Sequence, residues 1–280
     1  MRTASRDGTV RAVSANGVLP AALLCDLDGV VWLAHRPIPG AVEGIARIRA
    51  AGVRVLFVTN NSNAAVAGQE AALAAIGVPA VGDVATSAMA AAALVHPHER
   101  VLVVGGPGVV EAVRARGAEP LANDADPDGP VDAVIVGFHR DFDYDRLRRA
   151  AGAVASGARL IGTNDDPTYP TPDGNIPGGG ALLAAVATAA GVAPVVAGKP
   201  YAPMATTVLD LIGRPDPATL VMVGDRDSTD GRFARRLGCR FALVRSGVTP
   251  ARVMLATAPD IDQPHLGAVV DHLVGGPSVG

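Results

Sequence analysis

Two hydropathy patterns alternate along the 280-residue chain. Short apolar runs with little alternation, at 53–58, 100–104, 131–136, 159–161, 220–223 and 240–244, predict strands buried on both faces, as in a parallel sheet. Between them apolar residues recur at helical spacing. In 41–51, Val42, Ile45, Ala46 and Ile48 share a face and Gly52 supplies a C-cap. Further helices are predicted after the polar cluster at 59–63, over 109–116, 146–156, 181–190, 204–212 and 233–237, and near the C-terminus. Up to residue 82 the order is β-α-β-α, and from 83 to 192 the pattern restarts. The expected fold class is therefore α/β, a doubly wound parallel sheet accompanied by a second, smaller α/β lobe.

The candidate chemistry lies where apolar runs stop. Leu23-Leu24-Cys25 leads into Asp26-Leu27-Asp28-Gly29. In an extended strand, residues two apart share a face, so the two carboxylates converge while Leu27 points into the core. Ionised carboxylates at a buried strand end need a cation or a reaction to justify them. The run 53–58 ends in Thr59-Asn60-Asn61-Ser62-Asn63, whose hydroxyls and amides suit an anion or an N-cap for the next helix. Val195-Val196-Ala197-Gly198 predicts a short strand that delivers Lys199, and 220–223 ends in Gly224-Asp225-Arg226-Asp227-Ser228-Thr229-Asp230.

One acid pair at a strand end is commonly a solvated edge. Several polar strand ends at one edge of a doubly wound sheet, where such sheets bind ligands, point to a reaction site. The polar, proline-stiffened loop 162–172 offers Asn164, Asp166 and Tyr169 as substrate contacts. Gly178-Gly179-Gly180 opens a helix whose N-terminus either faces an anion or packs tightly. Gly105-Gly106-Pro107-Gly108 is only part of a dinucleotide fingerprint, because Glu111 stands where its third glycine belongs.

Composition narrows the partners. A net charge of −3 gives no electrostatic preference for nucleic acid or an anionic membrane, so a small molecule is expected. Two cysteines, Cys25 and Cys239, are too few for a disulfide framework and suit a cytoplasmic location; Cys25 is expected to be a small core side chain. No apolar run reaches the ~18 residues of a membrane span. Residues 1–17 are expected to be a disordered tail. Lys199 is the only lysine among 24 basic residues, marking a place that needs a compact point charge. His96 and His98 lack further ligands at zinc spacing, and His139 is expected at the surface.

The order Asp-x-Asp-Gly (26–29), Thr-Asn-Asn (59–61), Lys-Pro (199–200) and Gly-Asp-Arg with a later Thr-Asp (224–230) resembles the four motifs of the haloacid dehalogenase superfamily. Asp-Gly-Val-Val-Trp, the Ile-Pro-Gly-Ala turn at 38–41 and Thr-Asn-Asn-Ser are similar to its NagD-like, para-nitrophenyl-phosphatase-like branch. The resemblance implies a Rossmann-like core formed by 18–82 and 193–280, with an α/β cap domain inserted at 83–192. It implies Mg²⁺-dependent hydrolysis of a small phosphomonoester: Asp26 as nucleophile, Asp28 as general acid and base, and Thr59, Asn60 and Lys199 binding phosphate. Asp26, Asp28 (through its carbonyl) and Asp225 would hold the metal, with Asp230 behind them.

Glycerol 3-phosphate or a similar polyol or glycolate phosphate is the expected substrate, since the cap has few aromatics. Pyridoxal phosphate and nucleoside monophosphates are alternatives, as are a sugar-phosphate phosphotransferase or mutase and a non-catalytic metabolite-binding regulator. A homodimer through the cap is also consistent with the branch. Two departures stand out: Asp227, Ser228 and Gly231 interrupt the fourth motif, leaving Asp227 an expected exposed residue, and His139 replaces a common aspartate.

Overall fold

A computed structural model describes residues 13–14, 17–171, 174–249 and 253–275. Ala22–Cys25, buried throughout, lies at the centre of a six-stranded parallel sheet. Arg54–Thr59 and then Val84–Thr86 flank it on one side; Leu220–Gly224, Arg240–Val244 and Ile261–Gln263 follow on the other. The register aligns Cys25 with both Phe57 and Val223, so three strands end at one edge. That edge is the topological switch point, where the chain leaves the central strand in opposite directions and a crevice opens.

One face of this sheet is closed by the helices Ala41–Ala50 and Leu266–Val274, with Leu23, Val55, Phe57, Ile45, Val269 and Val270 packed between. The other face carries Ala202–Leu211 and Arg232–Leu237, and its core continues into a second sheet through Ala88, Ala91, Val101, Val103 and Val109. The second sheet is also parallel, in the order Val195–Val196, Arg159–Gly162, Ala133–Val136, Arg100–Val104, Glu119–Ala122. Its far face is covered by Tyr144–Ala155 and Gly179–Ala190.

Several expectations are corrected. Val195–Val196 joins the second sheet, not the first, so Lys199 comes from a connection between the sheets. Two valines satisfy the edge of either sheet equally well, and hydropathy cannot choose between them. The 59–63 cluster does not cap the following helix: Val66–Ala75 has no side-chain cap, and Val66 N donates to Glu111 Oε1 from the other sheet's helix at 3.1 Å. The Gly105–Gly108 turn serves close approach. Gly108 N donates to Asn63 O at 2.9 Å, and a Cβ at Gly106 or Gly108 would collide with Asn63 or the Ser62 and Ala64 carbonyls. Most of the expected tail at 1–17 lies outside the described residues, but Val13–Ser14 pairs with Gly17–Val18.

Two hairpins were not legible from the pattern: Trp32–Leu33 with Arg36–Pro37, and Thr168–Thr171 with Gly174–Pro177 inside the expected polar loop. Neither has a core-facing apolar alternation to betray it. Among the described residues, no helix is long and apolar enough to cross a membrane.

Candidate active site

The strand stops at Cys25, where Asp26 N still pairs with Val223 O at 2.9 Å. The Leu27 carbonyl then accepts from the amides of Val30, Val31 and Trp32, curling the chain into a tight loop. Asp26 and Asp28 therefore converge by this turn and not, as expected, along an extended strand. Gly29 makes the turn possible. Its φ is +83°, and a Cβ there would meet Asp225 Oδ2 at 2.5 Å.

Lys199, 2% exposed, fills the space beneath Asp26. Its Nζ lies 2.8 Å from Asp26 Oδ1 and 2.8 Å from Asp230 Oδ1. Asp26 Oδ1 also accepts from Leu27 N at 2.8 Å. Asp225 follows the end of its strand; Oδ2 accepts from Val248 N at 2.8 Å and its carbonyl from Thr249 Oγ1. The altered fourth motif forms a π-helical turn over Asp227–Gly231. This turn brings Asp230 under Gly224 and lets Asp230 Oδ2 accept from Arg226 N at 3.1 Å. Asp227 is not simply exposed: its Oδ2 accepts the amides of Ala256 and Thr257, tying that turn to the chain at 256–257.

Burial dominates the electrostatics. Burial works against the Lys199 ammonium, but Asp230 and Asp26 outweigh it and hold its pKa above the usual lysine range. Burial pushes Asp26 up in spite of Lys199. Asp225 is pushed up to about 7 by burial and by the charges of Asp26 and Asp230. Asp230 rises to about 6, because burial and Asp26 exceed the attraction of Lys199. Asp28 is also raised by burial, opposed by a hydrogen bond from Trp32.

Three acids, two of them fully buried, set against the single ammonium of Lys199 leave excess negative charge. Asp26, Asp225 and Asp230 each present a ligand atom, all within 4.8 Å of one another, and Asp225 Oδ1 is buried without a hydrogen-bond partner. An orphaned carboxylate oxygen in an all-oxygen acidic cluster fits a hard divalent cation. The Asp28 side chain lies outside this cluster and is bound to Trp32.

Thr59 is buried, and its Oγ1 accepts from Asn61 N at 3.0 Å. The Asn60 side chain is a staple that the sequence did not reveal. Oδ1 accepts from Lys199 N at 2.8 Å, while Nδ2 donates to Lys199 O at 3.1 Å and to Asp166 Oδ2 at 2.9 Å. Asn164 Nδ2 in turn donates to Asn60 O at 2.9 Å. Asn164 and Asp166 thus fasten the second sheet's loop onto the first sheet's edge, and both also face the cavity. The Gly178–Gly180 turn packs tightly: Gly180 N donates to Asp166 O at 2.9 Å, and a Cβ on Gly179 would come within 3.2 Å of Phe138 N.

The cavity, about 620 Å³, is walled by Asp26, Asp28, Thr59, Asn60, Lys199, Asp225 and Asp230 from one side and by Phe138, Asn164, Asp166 and Tyr169 from the other. Phe138 stacks on Tyr169 with ring centroids 5.1 Å apart, an aromatic pair that sequence separation concealed. Arg36 and Arg226 also line it. His139 is half-buried; its ring meets Phe142 edge-on at 6.0 Å and its Nε2 is buried without a partner.

Residues 23–119 match the model of the haloacid dehalogenase-like hydrolases, and residues 196–274 match a second hydrolase model of the same kind. The chain is 39% identical over 234 residues to the D-glycerol 3-phosphate phosphatase of Mycobacterium tuberculosis, covering 82% of this chain and 64% of that protein. It is 38% identical over 240 residues to chronophin of Mus musculus, covering 81% of each. A solved structure of a glycerol phosphate phosphatase from Mycobacterium tuberculosis in complex with magnesium superposes with a TM-score of 0.75 at 35% identity, over 82% of this chain and 69% of that one.

Proposed function

Because the chain belongs to the haloacid dehalogenase-like hydrolases, we propose that it hydrolyses small phosphomonoesters through an aspartyl-phosphate formed on Asp26. The observation that carries this reading is Lys199 Nζ, 2.8 Å from both Asp26 and Asp230, a buried cation beside the residue assigned the attack. A phosphate dianion approaching Asp26 meets a repulsion of roughly 4 kcal/mol per unit charge pair at about 4 Å and an effective dielectric near 20. Lys199 offsets part of it, and the Thr59 hydroxyl with the Asn60 backbone amide supplies donors for the phosphoryl oxygens. Mg²⁺, held by Asp26, Asp225 and the carbonyl of Asp28 with Asp230 behind, would supply the remaining positive charge.

Asp26 Oδ1 accepts from Leu27 N and Lys199, which fixes the orientation of the carboxylate that attacks phosphorus. Asp28 protonates the departing alcohol, then takes a proton from the water that cleaves the aspartyl-phosphate. The second sheet acts as a cap. Asn164 and Asp166 anchor its loop to Asn60, while Phe138 and Tyr169 close the cavity over the alcohol moiety.

The preferred substrate in this reading is glycerol 3-phosphate or a similar short polyol or glycolate phosphate, supported by the similarity to a D-glycerol 3-phosphate phosphatase. The Phe138–Tyr169 stack favours a second possibility, pyridoxal phosphate or a nucleoside monophosphate, whose ring an aromatic wall can hold. Phosphate release across a panel of metabolite phosphoesters with Mg²⁺ separates them. The highest kcat/KM is expected for glycerol 3-phosphate or phosphoglycolate. A tenfold advantage for an aromatic substrate moves the assignment to the second possibility, and no release from any ester removes both.

Metal binding has a readout independent of turnover. Mg²⁺ at about 100 times its Kd stabilises by about 2.7 kcal/mol, which raises Tm by several degrees for a chain this long. The increase is expected to be larger at pH 8 than at pH 5. In the metal-free fold Asp225 and Asp230 titrate near 7 and 6, so the native state holds more protons than the unfolded chain between about pH 4 and 7. Metal-free stability therefore falls as pH rises through that window, and the cation restores it. An equal Mg²⁺ shift at both pH values, or none in the parent protein, contradicts the assignment.

A further inference from the structure

Resting on the assignment of Asp28 as the proton donor, we propose that Trp32 is a positioning residue that fixes which oxygen of Asp28 carries the catalytic proton. Trp32 Nε1 lies 3.1 Å from Asp28 Oδ1. An indole N–H only donates, and the carbonyl oxygen of a protonated carboxyl is a stronger acceptor than its hydroxyl oxygen, so the bond favours the form in which the oxygen facing the indole is the unprotonated one. Whenever Asp28 is the acid, its proton therefore favours Oδ2. A carboxyl with two equivalent oxygens becomes one with a defined acidic edge. The cavity that holds the leaving group is lined by the same Asp28.

The geometry leaves the indole little freedom. Trp32 is 1% exposed and packs with Leu27, Val30, Val31 and Ile38. Its backbone is held twice to the catalytic loop: Trp32 N donates to Leu27 O at 3.2 Å, and Gly29 N donates to Trp32 O at 2.8 Å. The His35 ring lies 4.8 Å from the indole, tilted by 57°, at the turn of the hairpin that Trp32 begins. If Asp28 rotated away, a buried N–H would lose its acceptor. The hydrogen bond thus orients the carboxyl, and the hairpin orients the hydrogen bond.

Core packing alone would also explain a buried tryptophan, and the two accounts differ in leaving-group dependence. An alkoxide must be protonated as it departs, whereas p-nitrophenolate leaves without help. Because kcat/KM reports only steps up to the first irreversible one, it isolates formation of the aspartyl-phosphate from its hydrolysis. Trp32→Phe keeps most of the bulk and deletes the N–H. It is expected to lower kcat/KM for glycerol 3-phosphate about tenfold or more, a fraction of the roughly 10²–10⁴ of a general acid, while p-nitrophenyl phosphate changes less than about threefold. Asp28→Ala should show the same selectivity more strongly, and Trp32→Phe should add no further selectivity in that background.

If Asp28→Ala is selective but Trp32→Phe lowers both substrates equally, Trp32 only packs and the proposal is wrong. If Asp28→Ala itself lowers both equally, the assignment of Asp28 as proton donor fails, and Trp32 positions nothing. Should Trp32→Phe not fold, the parent still gives an answer, since Trp32 is the only tryptophan in the chain. The vibrational band of its indole N–H should move to that of a weaker hydrogen bond in Asp28→Ala, and an unmoved band overturns the proposal.

Discussion

Asp26→Asn is expected to lower kcat by on the order of 10⁴-fold or more, as loss of a covalent nucleophile does in other hydrolases. At about 1.36 kcal/mol per decade this corresponds to roughly 5.5 kcal/mol of lost transition-state stabilisation. The fold should persist. The amide has the shape of the carboxylate, and its oxygen can still accept from Leu27 N and Lys199 Nζ in place of Oδ1. Without metal the variant should be as stable as the parent or more so, because the charge of Asp26 raises the pKa values of both Asp225 and Asp230, and Lys199 keeps its pairing with Asp230. A catalytic group held at a cost to stability has this signature. Phosphate release and thermal unfolding measured on the same preparation check both halves. Full activity in Asp26→Asn would refute the nucleophile assignment, and loss of folding would refute the account of how Asp26 is held.

Lys199→Met is expected to damage both stability and turnover. Methionine matches the length of the lysine but leaves Asp26 and Asp230 facing each other with no cation between them. Breaking a buried ion pair from one side costs about 3–5 kcal/mol, so Tm should fall by roughly 10 °C in a chain of this size. Removal of one preorganised charge from the phosphate site should lower kcat a further 10²–10³-fold, by the order of magnitude seen for oxyanion donors. Excess Mg²⁺ should recover part of the stability and little of the rate. Lys199→Arg is not an equivalent exchange, since a planar guanidinium must fit a buried site shaped for one nitrogen at 2.8 Å from two oxygens. If Lys199→Arg turns over at the parent's rate, the site requires a positive charge and not a lysine.

The fold class was legible because parallel strands buried on both faces must be apolar runs, and those runs appear at 54–58, 101–104 and 220–223. The polar residues that follow them were legible for the complementary reason: a carboxylate next to a buried strand stands out. The hairpins were hidden because their strands are short and, Trp32 apart, put no side chain in the core that would give a periodicity to read. Thr168–Thr171 pairs with Gly174–Pro177 in a stretch containing three prolines and a glycine. The motif marks Asn60 only as a phosphate-binding residue, yet its side chain binds Lys199 and Asp166, residues 139 and 106 positions away. Trp32 was visible only as a family-typical residue, since nothing in its local sequence shows that its N–H meets Asp28.

The amino-acid sequence determined the alternating architecture, the identities of the acids and the single lysine, because burial and charge constrain residue type locally. Only the tertiary structure decided which partners these groups have. It assigned Val195–Val196 to the second sheet, carried Lys199 between Asp26 and Asp230, left one oxygen of Asp225 unpaired, and stacked Phe138 on Tyr169 in one wall of the cavity. Those contacts join segments far apart in the chain, and their existence depends on where loops close in space, a property that no local pattern of hydrophobic and polar residues encodes.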